Sequence, residues 1–209
     1  MDFKIKICGL KHPDNFAAIS ELQPDYIGLI FYKNSPRYMK DSLTPAMVEE
    51  TKSKKVGVFV NAAPDELEEI IKEYNLDAIQ LHGQESPEYC LKFKERIQVI
   101  KAFSISNDFD FKEIAAYVKV CDQFLFDTKG QLAGGNGYAF NWKLLERYEH
   151  DVPFFLSGGI GLENIEEAES INNMYLYGID INSRAELSPG IKDSVIVRKL
   201  INKLRNKKL

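Results

Sequence analysis

Only three cysteines occur in 209 residues, Cys8, Cys90 and Cys121, widely spaced and without a Cys-x-x-Cys pair. An odd, scattered set argues against a disulfide framework or a structural zinc site and fits a reducing cytosol. Histidine is as scarce: His12, His82 and His150 stand at no metal-ligand spacing, so no metal is expected. Positive charge is also short. Lys and Arg number 27 against 31 Asp and Glu, so the net charge is −4 and no basic field exists to draw a nucleic acid. Long apolar runs are missing as well. Residues 1–8 alternate charged and apolar side chains, unlike a signal peptide, and no run approaches membrane-spanning length. The expected location is the cytoplasm, with no membrane contact.

What is present is an ordinary globular composition, 44% hydrophobic and 28% charged, enough for one sizeable core and a single domain over 1–209. Short apolar runs recur at 3–8, 26–31, 55–60, 78–82, 98–103, 123–127, 153–157 and 176–181. Their Val, Ile, Phe and Tyr content suits strands. The run 26–31 is apolar nearly throughout, as in a parallel strand covered on both faces. Between runs the period becomes helical. Leu67, Ile70, Ile71 and Tyr74 make one stripe, and Val197, Leu200, Ile201 and Leu204 another. Pro64-Asp65 and Ser86-Pro87-Glu88 read as helix starts. Eight β-α units of about 26 residues imply parallel strands, and eight such units can close into a (β/α)8 TIM barrel. An open doubly wound sheet is the competing fold. It places a Gly-rich turn after its first strand, where this chain has Cys8-Gly9-Leu10. The basic tail, residues 203–209, reads as a solvated helix end.

In a β/α-barrel, chemistry gathers at the carboxyl ends of the strands. Those ends hold Cys8, Arg37 just beyond the second, Gln80 and His82, Asp127, Gly158-Gly159, and Asp180 to Arg184. Gly158 and Gly159 allow close approach of backbone N–H groups to an anion, and Asn182-Ser183 would open a short helix beside them. Together they form the predicted phosphate site, although the glycine pair also fits a simple tight turn. Cys8 and Asp127 are the acid–base candidates. A free cysteine is usually a small buried hydrophobe. Lys6 shares a strand face with Cys8, however, and inside a barrel its ammonium would favour a thiolate able to act as a base. Asp127 ends Phe124-Leu125-Phe126, surroundings that would raise its pKa and keep a proton available; the plainer reading is a cap, or a partner for Lys129.

Taken in order, Lys6-Ile7-Cys8-Gly9, Ser35-Pro36-Arg37-Tyr38, Gln80-Leu81-His82-Gly83, Asp127, Gly134-Gly135-Asn136-Gly137 with Phe140 and Trp142, Leu156-Ser157-Gly158-Gly159 and Gly178-Ile179-Asp180 through Pro189-Gly190-Ile191-Lys192-Asp193 resemble the phosphoribosylanthranilate isomerases. The resemblance implies an Amadori rearrangement of a phosphorylated aminosugar without metal or organic cofactor, because the substrate nitrogen serves as electron sink. It implies Asp127 as general acid, Cys8 as general base and Arg37 as the contact to the anthranilate carboxylate. Lys6, Gln80, His82 and Asp180 become substrate-binding, and Gly158, Gly159, Asn182 and Ser183 phosphate-binding. The small phosphorylated substrate is the one partner expected, and a monomer the expected state. Two departures stand out: Asn136 and Asn141 replace commoner residues, and Asn182-Ser183-Arg184-Ala185-Glu186 lacks the usual glycine at Arg184. Arg184 could add a phosphate contact instead. A histidine-pathway phosphosugar isomerase would carry paired phosphate sites and a carboxylate base on the first strand, where Cys8 stands. A lyase of the indoleglycerol-phosphate synthase kind would need more chain before that strand. A barrel that only binds a phosphorylated ligand would need neither Cys8 nor Asp127.

Overall fold

The computed structural model describes residues 3–128 and 141–205. The apolar runs form eight strands: β1 (Lys4–Cys8), β2 (Tyr26–Ile30), β3 (Lys54–Phe59), β4 (Ala78–Leu81), β5 (Gln98–Ile105), β6 (Gln123–Thr128), β7 (Phe154–Leu156) and β8 (Leu176–Ile181). Each pairs in parallel with the next, and β8 pairs with β1, Lys6 lying opposite Asp180. The sheet therefore closes, which rules out the open doubly wound alternative and leaves these strands no free edge.

Helices α1 (Pro13–Ser20), α2 (Pro45–Glu49), α3 (Pro64–Glu73) and α4 (Pro87–Lys94) follow the first four strands; α5 (Ile165–Glu169) follows β7 and α6 (Ser194–Arg205) closes the description. The first four all begin with proline, whose missing N–H is not needed in a first turn. Leu67, Ile70 and Tyr74 are buried as their spacing predicts, with Ile71 at the margin, and the α6 stripe is buried throughout. After β5 and β6 the described connections are 3-10 helices, Phe111–Tyr117 and Trp142–Arg147, where an even repeat predicts α-helices. Their buried pairs, Phe111 with Ile114 and Trp142 with Leu145, lie three residues apart, a spacing that eclipses in a 3-10 turn. After β8 comes the short helix expected at Asn182-Ser183, a 3-10 turn over Ser183–Ala185, and then an unanticipated antiparallel hairpin of β9 (Glu186–Ser188) and β10 (Ile191–Lys192).

Strand alternation divides the core. Ile5, Ile7, Ile27, Leu29, Ile79, Leu81 and their neighbours pack under the helices. Tyr26, Val56, Ala78, Ile100, Ala102, Leu125 and Phe155 fill the barrel, with Tyr26 edge-on to Phe155 at 5.4 Å. Above this plug the inward positions become polar: Lys6, Gln80, Asp127 and Asp180, all buried. At the opposite mouth Asp25, Asp77 and Asp122 accept the backbone N–H groups of Ile5, Lys55 and Val99, joining neighbouring strands at their starts. No described helix is long and apolar enough to cross a membrane. The Gly134–Gly137 motif, Asn136, Phe140, Lys129 and the tail beyond 205 lie outside the described residues, while Lys203 pairs with Glu166 at 2.9 Å.

Candidate active site

A cleft opens at the carboxyl-terminal mouth, about 660 Å³ counting its open entrance. Every predicted site residue lines it except Lys6. Cys8 reaches it from the tip of β1, opposite Gly28 in the register; a Cβ at Gly28 would lie 2.6 Å from the Cys8 sulfur, so only glycine leaves room there. Asp127 enters from the end of β6, three strands away around the short arc through β8 and β7.

Lys6 requires a correction. It is wholly buried one layer below Cys8 and donates to Asp180 Oδ1 at 2.8 Å, so it supports the cleft floor without facing a ligand. Burial alone would drive its ammonium down, but Asp180 and then Cys8 outweigh it and the Lys6 pKa is raised. Nor does its field win at Cys8. Burial pushes the thiol up, Lys6 pulls the other way, Asp180 adds to the rise and Lys192 opposes it; the net direction is upward. The thiolate is thus the minority form at neutral pH, contrary to the reading from strand alternation alone.

Asp127 behaves as its apolar neighbours suggest. Burial, then the charge of Asp180, raise its carboxyl to about 7, against the Thr128 N–H at 2.9 Å, Lys6 and Ser157. Such a group holds a proton near neutrality and can release it. His82 is neutral there, its pKa lowered to about 4 by burial and then by Lys101 and Lys6. Gln80 Nε2 lies 3.1 Å from His82 Nδ1. An amide nitrogen can only donate, so Nδ1 accepts and the ring proton sits on Nε2, 3.6 Å from Asp127 Oδ2. The Gln80 Oε1 atom is buried and has no hydrogen-bond partner among the described residues, an acceptor suited to a ligand hydroxyl.

Arg37 is held by a Ser-Pro-Arg turn in which its N–H reaches Ser35 Oγ at 3.2 Å. Its guanidinium is not simply open to solvent: Nε and Nη2 donate to Glu186 at 2.9 and 2.7 Å. A ligand carboxylate would therefore meet the end-on edge, Nη1 with the second Nη2 hydrogen. Gly158 and Gly159 have φ of +88° and +70°. A Cβ at Gly158 would fall 2.2 Å from Thr128 Oγ1 and 2.9 Å from Asp127 Oδ1, so the turn is both tight and pressed against the acid. Asn182 precedes the Ser183–Ala185 turn without capping it and accepts from Lys192 Nζ at 2.7 Å. Arg184 lines the cleft while bonded to Glu163 at 2.9 Å. Asp180, predicted to hold a sugar hydroxyl or order the following loop, borders the cleft while binding Lys6 and, at 3.3 Å, the Ser157 hydroxyl.

Two residues were quoted in the sequence motifs but given no role there: Glu186, which clasps Arg37, and Lys192, buried behind it. Their signal was a hairpin, two short segments flanking Pro189-Gly190, which places the charges face to face. Among the described residues no group of three or more His, Cys, Asp or Glu could hold a metal ion.

Comparison with known proteins follows the same lines. The family model described as N-(5'phosphoribosyl)anthranilate (PRA) isomerase matches residues 5–203. A curated relative from Parabacteroides distasonis, N-(5'-phosphoribosyl)anthranilate isomerase, is 41% identical over 97% of this chain and 90% of its own length. The crystal structure of phosphoribosyl anthranilate isomerase from Thermus thermophilus superposes with a TM-score of 0.86 at 26% identity, covering 99% of this chain and 100% of that one. A second solved isomerase, in complex with reduced 1-(o-carboxyphenylamino)-1-deoxyribulose 5-phosphate, matches with a TM-score of 0.82 at 30% identity, over 98% and 99% of the two chains.

Proposed function

The chain belongs to the N-(5'phosphoribosyl)anthranilate (PRA) isomerase family, and from that premise we propose how its cleft carries out the isomerisation. The reaction is the conversion of N-(5'-phosphoribosyl)anthranilate to 1-(o-carboxyphenylamino)-1-deoxyribulose 5-phosphate in tryptophan biosynthesis. Asp127 donates its proton to the ribose ring oxygen as the C1′–O bond breaks, and the nitrogen lone pair closes a C1′=N bond. Cys8, as thiolate, then takes the C2′ proton; the electrons form C1′=C2′ and return to nitrogen, giving an enolamine that tautomerises to the ketone. The observation that carries this reading is the pairing in one cleft of a carboxyl held near pKa 7 with a thiol. Burial keeps Cys8 protonated, so the thiol first gives its proton to solvent through the open cleft, and the cationic imine formed by ring opening lowers the cost of that loss by placing positive charge beside the sulfur.

The phosphate is assigned to the turn of Gly158 and Gly159 with Asn182 and Ser183, the carboxylate to the end-on edge of Arg37, and the sugar hydroxyls to Gln80 Oε1 and Asp180. Residues 1–209 are assigned to one catalytic domain, working in the cytoplasm as a monomer. Purified protein mixed with phosphoribosylanthranilate should extinguish the substrate's anthranilate fluorescence with time, equally in EDTA. A signal that persists without EDTA would refute the activity, and one that persists only in EDTA would refute the acid–base account.

A further inference from the structure

The hairpin behind the cleft contains a cation that touches no ligand surface yet contacts both ends of the site. Lys192 has a fully buried side chain and is absent from the cleft lining. Its backbone is pinned to α1, with Asn15 Oδ1 accepting its N–H at 2.7 Å and Asn15 Nδ2 donating to its carbonyl at 2.8 Å. From that anchor Nζ meets Glu186 Oε1 at 2.6 Å, Asn182 Oδ1 at 2.7 Å and the Asn182 carbonyl at 3.3 Å. An ammonium has three N–H donors, and all three are accounted for. Lys192 therefore cannot also bind substrate directly.

Glu186 receives four donors: Arg37 Nε and Nη2, the Gly190 N–H at 3.0 Å and Lys192. Were Arg37 and Glu186 alone, they would close into a neutral pair, and the guanidinium would have little net field left for a second carboxylate. Lys192 shares that carboxylate, so the trio keeps one unit of positive charge beside a substrate that bears both a carboxylate and a phosphate. Burial works against the Glu186 anion, but Arg37 and then Lys192 hold its pKa below the ordinary value, so its charge persists.

We propose that Lys192 is a positioning residue which, by sharing Glu186 with Arg37 and clasping Asn182, keeps the carboxylate end attractive and the phosphate end fixed through one buried cation. This rests on the assignment of Arg37 and Asn182 given above.

The test uses two fragments of the substrate, anthranilate and inorganic phosphate, as competitive inhibitors of the purified enzyme and its variants. Lys192→Met should raise KM and weaken both fragments by about tenfold, roughly the loss of one charge-assisted contact, with kcat within about threefold of wild type. Glu186→Gln/Lys192→Met should restore anthranilate inhibition, since Arg37 is no longer countered, while phosphate inhibition stays weak. A merely structural lysine would leave the double variant worse than the single for both fragments, and that result overturns the proposal. Should Lys192→Met fail to fold, Glu186→Gln alone decides: anthranilate must bind more tightly, and weaker binding overturns charge sharing. Arg37→Met separates the two layers of inference. If it leaves anthranilate inhibition unchanged, the assignment of Arg37 itself falls; if it weakens inhibition and Lys192→Met does not, only the role of Lys192 falls.

Discussion

Aspartates stand at both mouths of the barrel and do opposite work. At the amino-terminal mouth Asp25, Asp77 and Asp122 each accept a backbone N–H from the preceding strand, and Asp25 and Asp122 also meet Lys4 and Lys94. All three keep part of their surface in water. At the carboxyl-terminal mouth Asp127 and Asp180 are only 4% and 5% exposed. Lys6 gives its hydrogen bond to Asp180, and at Asp127 burial and the charge of that neighbour outweigh the Thr128 N–H, Lys6 and Ser157. One residue type thus serves as a stitch where water reaches it and its backbone donor joins two strands, and as an acid where water is excluded and the nearest ammonium bonds its neighbour instead.

The largest expected effect separates the mouths by chemistry. Asp127→Asn and Cys8→Ser should each lower kcat about 10²–10⁴-fold while KM moves far less, whereas Asp122→Ala should leave kcat within about twofold. Steady-state kinetics decide, and near-wild-type turnover in Asp127→Asn would break the contrast. Next comes the ammonium that distinguishes the upper pair. Lys6→Met strands Asp180 in the interior and should cost about 3–5 kcal/mol in urea unfolding, of which Lys6→Met/Asp180→Asn recovers a substantial part. Strictly additive losses would mean that the pair is not coupled.

A pH comparison is expected to be smaller. The folded protein holds the Asp127 proton up to about pH 7, against an unfolded value of about 3.9. Wild-type stability from this group is therefore full below pH 4 and is lost as pH rises through 7. Asp127→Asn escapes that loss, so its melting advantage should grow from pH 4 to pH 8, to about 2–4 kcal/mol. An advantage independent of pH would show that the carboxyl is not raised. The smallest effect belongs to the stitches: Asp122→Ala should cost about 1–2 kcal/mol at neutral pH, read by thermal unfolding, for the lost bond to the Val99 N–H.

The strands were legible because each is an apolar run short enough to be nothing else, and the helices because Leu67, Ile70 and Tyr74, or Val197, Leu200 and Leu204, repeat at helical spacing. The 3-10 segments after β5 and β6 were not, since a pair three residues apart fits either helix type in a short stretch. The location of the site was readable from polar residues at strand ends. Its electrostatics were not. Lys6 and Cys8 do share a face, but which anion takes the ammonium depends on Asp180, 174 residues away.

By itself the sequence determined a closed β/α architecture, the rim that bears Cys8 and Asp127, and a carboxyl set among phenylalanines, because periodicity and burial are local consequences of residue order. Tertiary structure alone decided that Lys6 serves Asp180, that Glu186 binds Arg37 and that Lys192 stands behind both. Charge pairing in a low-dielectric interior depends on distances of a few ångströms between remote segments, and only the closed barrel sets those distances.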